Sequence, residues 1–179
     1  MRHLVLLAAL AAGPAHAAQT VTHTFCWQGA NGYSVEGYIA YPETARGIVT
    51  EAQVTGFGIT GFKDGAVIGQ WSLKDRKPGT SLTIRFDADR LEFPMGGIAA
   101  LNSYQEWNAN GFVDDCGTPG FGFNGGNWAQ DVCIDGVWVE ESGIAPDTPL
   151  PISADPTNPC APLQLSGDAG APRTGGRPA

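Results

Sequence analysis

Oxygen-bearing side chains between Glu106 and Asp114 follow the spacing of a calcium-binding loop. Glu106, Asn108 and Asn110 stand at the first, third and fifth positions, a glycine at the sixth and Asp114 at the ninth. Hard oxygen ligands suit Ca²⁺, and the glycine permits the sharp turn of such a loop. The twelfth position, where a bidentate Glu is usual, is Gly117. A solvated Asn-Gly turn explains the same residues, so the sequence predicts either a calcium site or a polar turn.

Two of the five tryptophans are candidate platforms for a sugar ring. Trp107 adjoins the polar loop, and Trp138 points to the opposite strand face from its valine neighbours, so both are expected to be exposed. Exposed aromatic rings on β-sandwiches stack on sugars, whereas buried ones fill the core. Trp27 and Trp71 alternate with apolar residues and are predicted to be core. A carbohydrate-binding surface through Trp107 and Trp138 is therefore one hypothesis.

Carboxylates offer the remaining route to catalysis, because glycoside hydrolysis needs only two of them, one with a raised pKa. The candidates are Glu106, Asp114, Asp115, Glu140 and Glu141. No spacing in the sequence fixes a pair at the required separation, and acidic residues on turns are usually solvated. We therefore expect a protein without catalytic activity, with a carboxylate-dependent glycosidase as the enzymatic alternative.

Short alternating segments separated by turn residues must position these side chains. Residues 20–27 and 33–41 alternate around Asn31-Gly32, and residues 128–134 and 137–140 flank Asp135-Gly136, both typical of β-hairpins. Further strands are predicted at 54–62, 66–73, 80–87, 91–93 and 97–101. The pattern predicts an all-β fold, an antiparallel β-sandwich or jelly-roll-like domain over residues 18–165. Residues 166–179 are predicted to be a disordered tail.

The four cysteines predict two disulfides that stabilise this domain. We favour Cys116 with Cys133, which closes a Gly-rich excursion, and Cys26 with Cys160, which joins the first strand to the end of the domain. A zinc or redox pair is the alternative, but no Cys-x-x-Cys spacing exists. Calcium remains the only cofactor that the sequence suggests.

Residues 1–17 predict a cleaved signal peptide. A short basic start precedes an apolar run at residues 4–12, and Ala15-His16-Ala17 provides the small-x-small cleavage pattern. The run is shorter than the roughly 20 residues that span a bilayer, and no later stretch is long enough, so no transmembrane anchor is expected in the mature chain. Only His23 would remain among the histidines, and its strand face predicts packing rather than catalysis. The net charge of −8 disfavours nucleic acid and anionic lipid as partners.

Seven stretches give the chain a resemblance to the exported domain of bacterial exosortase-sorted (PEP-CTERM) proteins. They are GYIAY at 37–41, GIVTEAQVTGFGIT at 47–60, LTIRFDADRLEF at 82–93, QEWN at 105–108, GFGF at 120–123, NWAQ at 127–130 and IDGVWV at 134–139. The resemblance implies a Gram-negative origin, export, a β-rich domain and an envelope or matrix role with polysaccharide as a partner. No Pro-Glu-Pro motif with a following apolar helix and basic cluster is present. A free periplasmic or secreted form is therefore expected.

Overall fold

The strands of the protein form three antiparallel sheets. A computed structural model describes residues 19–111 and 113–160; the predicted signal peptide, the tail and both predicted domain boundaries lie outside them. The strands are β1 Thr20–Gln28, β2 Tyr33–Pro42, β3 Ile48–Thr50, β4 Gly56–Lys63, β5 Ala66–Ser72, β6 Leu82–Thr83, β7 Arg85–Asp87, β8 Glu92–Phe93, β9 Gln105–Trp107, β10 Phe121–Gly125, β11 Gln130–Ile134, β12 Val137–Trp138 and β13 Leu150–Pro151. No helix in these ranges is long and apolar enough to cross a membrane.

The predicted fold class is confirmed, since the sheets pack as a disulfide-stabilised antiparallel β-sandwich. Sheet 1 has the order β1-β2-β4-β5, sheet 2 the order β12-β11-β10-β9-β6, and sheet 3 the order β13-β8-β7-β3. Both predicted hairpins are present. At Asn31-Gly32 the φ angles are 52° and 77°, and at Asp135-Gly136 they are 48° and 81°. These turns need residues that tolerate positive φ, as the sequence indicated.

An aromatic cluster joins the three sheets. The ring centroid of Phe25, on β1, lies 4.7 Å from that of Phe93, on β8, and 5.5 Å from that of Trp107, on β9. Phe57 approaches Trp107 at 4.9 Å, and Phe123 stacks on it at 4.4 Å. Such aromatic packing buries large apolar area and fixes how the sheets meet. His23 also packs as predicted, its ring 5.9 Å from Tyr41.

The segment predicted as one strand at residues 80–87 instead changes sheets at Ile84. Its first half, β6, pairs with β9 in sheet 2, and its second half, β7, pairs with β3 in sheet 3. The buried Gln105 side chain satisfies the backbone at this corner: its Oε1 accepts from the Arg85 amide at 3.1 Å and its Nε2 donates to the Arg85 carbonyl at 2.7 Å. The side chain that satisfies the backbone of Arg85 at this corner, Gln105, therefore lies on a different strand, β9.

One further predicted strand is absent, and another begins later than predicted. Residues 97–101 form turns rather than a strand, with a single bridge between Gly97 and Ser103. Trp128 does not share the buried face of Val132, because β11 begins only at Gln130 and Trp128 lies in the preceding turn, 93% exposed. Gly125-Gly126 ends β10 and lets the chain turn before the predicted strand can start.

Candidate functional site

The two disulfides are those favoured from the sequence. Cys26 pairs with Cys160 and Cys116 with Cys133, and no described cysteine is free. The Cys116–Cys133 disulfide ties the loop at residues 108–120 to the outer face of sheet 2. The Cys26–Cys160 disulfide ties the C-terminal described segment to the outer face of sheet 1. The two bonds thus shape the two outer surfaces of the sandwich.

Beneath the tied loop, Glu106 is engaged by the protein itself. Its side chain is buried, and its carboxylate accepts hydrogen bonds from the Tyr104 hydroxyl at 3.1 Å and the Val113 amide at 3.3 Å. Burial, and then the Glu106 charge, raise the pKa of Tyr104, so this hydroxyl stays protonated as the donor. Glu106 is therefore already paired on both of its oxygens.

The asparagines of the predicted calcium loop serve as hydrogen-bond donors. Nδ2 of the buried Asn108 donates to the Phe121 carbonyl at 2.6 Å and the Cys116 carbonyl at 3.1 Å. Nδ2 of Asn110 donates to Asp115 Oδ1 at 2.8 Å, while Asp114 is exposed. Across residues 19–111 and 113–160, no group of three or more His, Cys, Asp or Glu residues is placed to hold a metal ion. The side-chain amides of Asn108 and Asn110 therefore act as hydrogen-bond donors that hold the loop in place.

The two candidate tryptophans lie on opposite faces of sheet 2. Trp107 is 0% exposed and faces the core, so its predicted exposure is wrong. Its neighbour in sequence, Glu106, takes the outward position on β9, and alternation leaves Trp107 facing inward. Trp138 pairs with Cys133 on the outer face and is half-buried. The structure therefore does not bring the two rings together.

A row of polar residues that sequence reasoning missed crosses the same outer face. In register, Asn124 lies between Glu106 and Asp131 on adjacent strands, and its Nδ2 donates to Asp131 Oδ1 at 3.2 Å. Burial raises the pKa of Asp131. Two carboxylates on one face, one with a raised pKa, meet part of the requirement for a glycosidase. However, the groove that reaches Glu106, about 380 Å³ in volume, is not lined by Asp131.

The outer face of sheet 1 carries a more open groove, about 360 Å³ in volume. Two ladders of cross-strand neighbours cross this face, one running through Thr24, Tyr38, Gly58 and Ser72, the other through Cys26, Glu36, Thr60 and Gln70, and all of them except Cys26 line the groove. All are outward positions of four adjacent strands, and most carry hydroxyl, amide or carboxyl groups. We call this surface the sheet 1 groove.

Tyr38 lies at the centre of the sheet 1 groove, across two glycines of β4. A Cβ on the directly opposed Gly58 would lie 2.7 Å from Cε1 of Tyr38, and one on Gly56 would lie 3.4 Å from Cε2. Because glycine has no side chain, the Tyr38 ring can pack directly against β4. Tyr38 is 37% exposed and lines the groove, so part of its side chain stays available to a ligand.

Two segments form the walls of the sheet 1 groove. On one side Asp75 accepts hydrogen bonds from the Ser72 amide at 3.1 Å and the Ser72 hydroxyl at 2.7 Å, which fixes the 3-10 turn Leu73–Asp75. On the other side Pro159 belongs to the segment held by the Cys26–Cys160 disulfide. Ser153 anchors this segment, because its amide donates to the Thr24 carbonyl at 2.7 Å and its hydroxyl to the Pro159 carbonyl at 2.7 Å.

The sheet 1 groove continues around the edge of β5 into a second cleft of about 230 Å³. Gln70, Trp71 and Asp75 line both spaces. The second cleft reaches Lys77 and Asn110 beside the tied loop. An extended ligand could therefore follow one path from the outer face of sheet 1 to the tip of the loop on sheet 2.

No family model matches the chain, and no curated protein or solved structure matches it. Its function must therefore be inferred from the shape and chemistry of these surfaces.

Proposed function

We propose that this protein is a non-catalytic polysaccharide-binding protein of the bacterial envelope or matrix, and that the sheet 1 groove holds the glycan. The observation that carries the proposal is the exposed Tyr38 ring, resting on two glycines between polar side chains. An aromatic face packs against the C–H face of a sugar ring, while hydroxyl, amide and carboxyl groups around it accept and donate hydrogen bonds to the sugar hydroxyls. The resemblance to exported bacterial proteins agrees with this role.

The compartment supports the same proposal. Two disulfides and no free cysteine in residues 19–111 and 113–160 indicate a non-reducing compartment, where polysaccharides of the cell envelope and the matrix are found. The groove continues into the cleft at the edge of β5, and this extended path suits a chain rather than a single sugar. We therefore expect affinity to rise with oligosaccharide length until the chain fills the groove.

Charge indicates which glycans the groove accepts. Glu36 and Asp75 both line the sheet 1 groove, and the cleft beyond it adds Lys77. With a net charge of −8, the protein repels polyanions. Neutral or amino-sugar polymers are favoured over polyuronates.

The role of Asp75 favours binding over hydrolysis. Its Oδ2 accepts hydrogen bonds from the Ser72 amide and hydroxyl, so the 3-10 turn fixes the orientation of this carboxylate. A glycosidase needs one carboxyl group free to give a proton and a second free to attack or to activate water. Glu36 alone cannot perform both tasks.

Titration calorimetry with β-1,4-linked glucose and N-acetylglucosamine hexamers tests the proposal. We expect Tyr38→Ala to weaken binding by about tenfold, because an aromatic stacking contact contributes roughly 1 to 1.5 kcal/mol. Tyr38→Phe is the matched control, since it keeps the ring and removes only the hydroxyl, and should retain most of the affinity. Gly58→Ala should also weaken binding, because its Cβ would displace the ring.

Three results would contradict the proposal. The first is no binding to any hexamer, and the second is equal binding by wild type and Tyr38→Ala. The third is release of shorter sugars that Glu36→Gln abolishes, which would make the groove an active site.

A further inference from the structure

Three large apolar side chains project into solvent at one end of the sandwich. Ile98 is 66% exposed, Leu101 89% and Trp128 93%. Ala99 and Ala100, between the first two, are exposed as well. A run of four exposed apolar residues is unusual in a soluble domain and marks an interaction surface. We call Ile98, Ala99, Ala100, Leu101 and Trp128 the apolar tip.

The apolar tip is built from two loops that contact each other. The Ile98 amide donates to Asn127 Oδ1 at 2.6 Å, and a Cβ on Gly97 would lie only 2.6 Å from Asn127 Cα. Within the first loop, the Ser103 amide donates to the Ala100 carbonyl at 3.1 Å and the Gly97 amide to the Ser103 carbonyl at 3.2 Å. The exposure of these side chains therefore results from hydrogen-bonded turns that hold them outward.

Both loops lack charged residues. Residues 93–105 and 116–130 contain no Asp, Glu, Lys or Arg, although 16% of the chain is charged. A solvent-exposed protein surface normally carries charged side chains. An apolar surface without charged residues can enter a medium of low polarity, in which burying a charge would cost free energy.

The shape of the apolar tip indicates what that medium is. Leu101 and Trp128 are about nine-tenths exposed and project from the surface, so a protein partner would need a matching cavity to bury them. A fluid bilayer needs none, because its interfacial region deforms around the inserted side chains. Tryptophan also favours that interface, with its apolar body among the acyl chains and its N–H near water.

A polar groove beside the apolar tip suits a lipid headgroup. Ile98 and Ala100 form part of its wall, and Arg85 and Glu106 contribute one cationic and one anionic side chain. Arg85 is half-buried and paired with Glu51, so the groove carries no excess positive charge for an anionic lipid. Glu106 is likewise engaged by Tyr104 and Val113, so the groove presents no net charge, which favours a headgroup without net charge that the protein's charge of −8 does not repel.

We propose that the apolar tip inserts into the interface of a bilayer of zwitterionic lipid and docks the folded protein on that surface. This interaction is independent of glycan binding, because the sheet 1 groove shares no residue with the apolar tip.

Co-sedimentation of the folded protein with phosphatidylethanolamine–phosphatidylcholine vesicles tests the proposal. We expect wild type to bind, and we expect the Trp128 fluorescence to shift to shorter wavelength on insertion. The double variant Ile98→Ser/Leu101→Ser should lose about tenfold or more in vesicle affinity, because two large aliphatic side chains no longer leave water. Val137→Ser is the matched control, since Val137 is 64% exposed but lies on β12, and it should bind like wild type.

Thermal unfolding checks that both variants fold, which is expected because all three side chains are exposed. The proposal is overturned if wild type does not bind these vesicles, or if the double variant binds equally well. It is also overturned if sedimentation velocity shows that wild type self-associates and the double variant does not, because a second copy would then cover the apolar tip. Tyr38→Ala should bind vesicles like wild type, so failure of the glycan proposal leaves this result unchanged.

Discussion

The outer faces of sheet 1 and sheet 2 carry similar types of polar side chain. They differ in whether those side chains are hydrogen-bonded within the protein or line an open groove. On sheet 2, Glu106, Asn108 and Asn124 bond to protein groups beneath a loop that the Cys116–Cys133 disulfide holds down. On sheet 1, Tyr38 and Glu36 line a groove that stays open. A buried polar side chain with protein partners stabilises the fold, whereas an exposed one beside an aromatic ring remains available to a ligand. Residue type alone therefore does not identify a site.

The largest effect should come from releasing the loop on sheet 2. The double variant Cys116→Ser/Cys133→Ser removes a bond with a sequence separation of 17, and loop-closure entropy predicts a loss of about 3 kcal/mol in the free energy of unfolding. Urea denaturation measures this loss. Gln70→Ala, in the sheet 1 groove, is the reference and should change stability by less than about 0.5 kcal/mol. Similar losses in the two variants would show that both faces are structural.

A single substitution separates the two interpretations of the polar loop. Asn108→Asp would improve a calcium ligand, but it removes the amide that donates to the Phe121 and Cys116 carbonyls and places a carboxylate against them. We expect a loss of about 2 kcal/mol, because two buried acceptors lose their donor. Thermal melts with and without Ca²⁺ give the measurement. A variant that gains stability when Ca²⁺ is added would support the calcium hypothesis.

The smallest effect concerns the pH dependence of Asp131. Because burial raises the pKa of Asp131, its protonated form stabilises the fold below the unfolded-state pKa of 3.8, and this contribution declines as pH rises through the folded-state pKa. Asp131→Asn cannot ionise, so the difference in free energy of unfolding between variant and wild type should grow in favour of the variant as pH rises.

Asp115→Asn provides the contrast in the same experiment. Hydrogen bonds from Asn110 and from the Gly117 amide lower the pKa of Asp115, so its stabilising contribution is present above the unfolded-state pKa and is lost as pH falls through the folded-state pKa. Denaturant unfolding at several pH values should therefore show opposite trends for the two variants. Equal trends would mean that the Asp131 carboxyl is hydrated in the folded protein.

The sequence was sufficient for the features that depend on neighbouring residues. Asn31-Gly32 and Asp135-Gly136 form the expected turns, because positive φ is a local requirement. Both disulfides match the favoured pairing, which was chosen because Cys116 and Cys133 close a Gly-rich excursion and Cys26 and Cys160 join the first strand to the end of the domain. Trp27 and Trp71 are in the core, as alternation with apolar neighbours predicted.

The features that depend on strand register could not be predicted. The Tyr38 ring has room on the sheet because Gly58 lies opposite, and this pairing exists only once β2 and β4 are aligned. The corner at Ile84 depends on the side chain of Gln105, twenty residues away from Arg85, which it binds. Trp107 could be assigned to the core only by knowing which face of β9 is buried. A signal for the sheet 1 groove did exist, in the outward polar positions of β2, β4 and β5, but no local motif joins them.

The Cys26–Cys160 disulfide connects residues that are 134 positions apart, and through Pro159 it holds one wall of the sheet 1 groove. During synthesis the floor of the groove is complete long before that wall, which is among the last described segments to emerge. A chain that ends before Ser153 would have Tyr38 in place without this wall, and a chain still in its thiol form would hold the wall only through the hydrogen bonds of Ser153. If the sheet 1 groove is the proposed glycan site, its second wall would therefore depend on completion of the polypeptide, and the covalent fixing of that wall on oxidation.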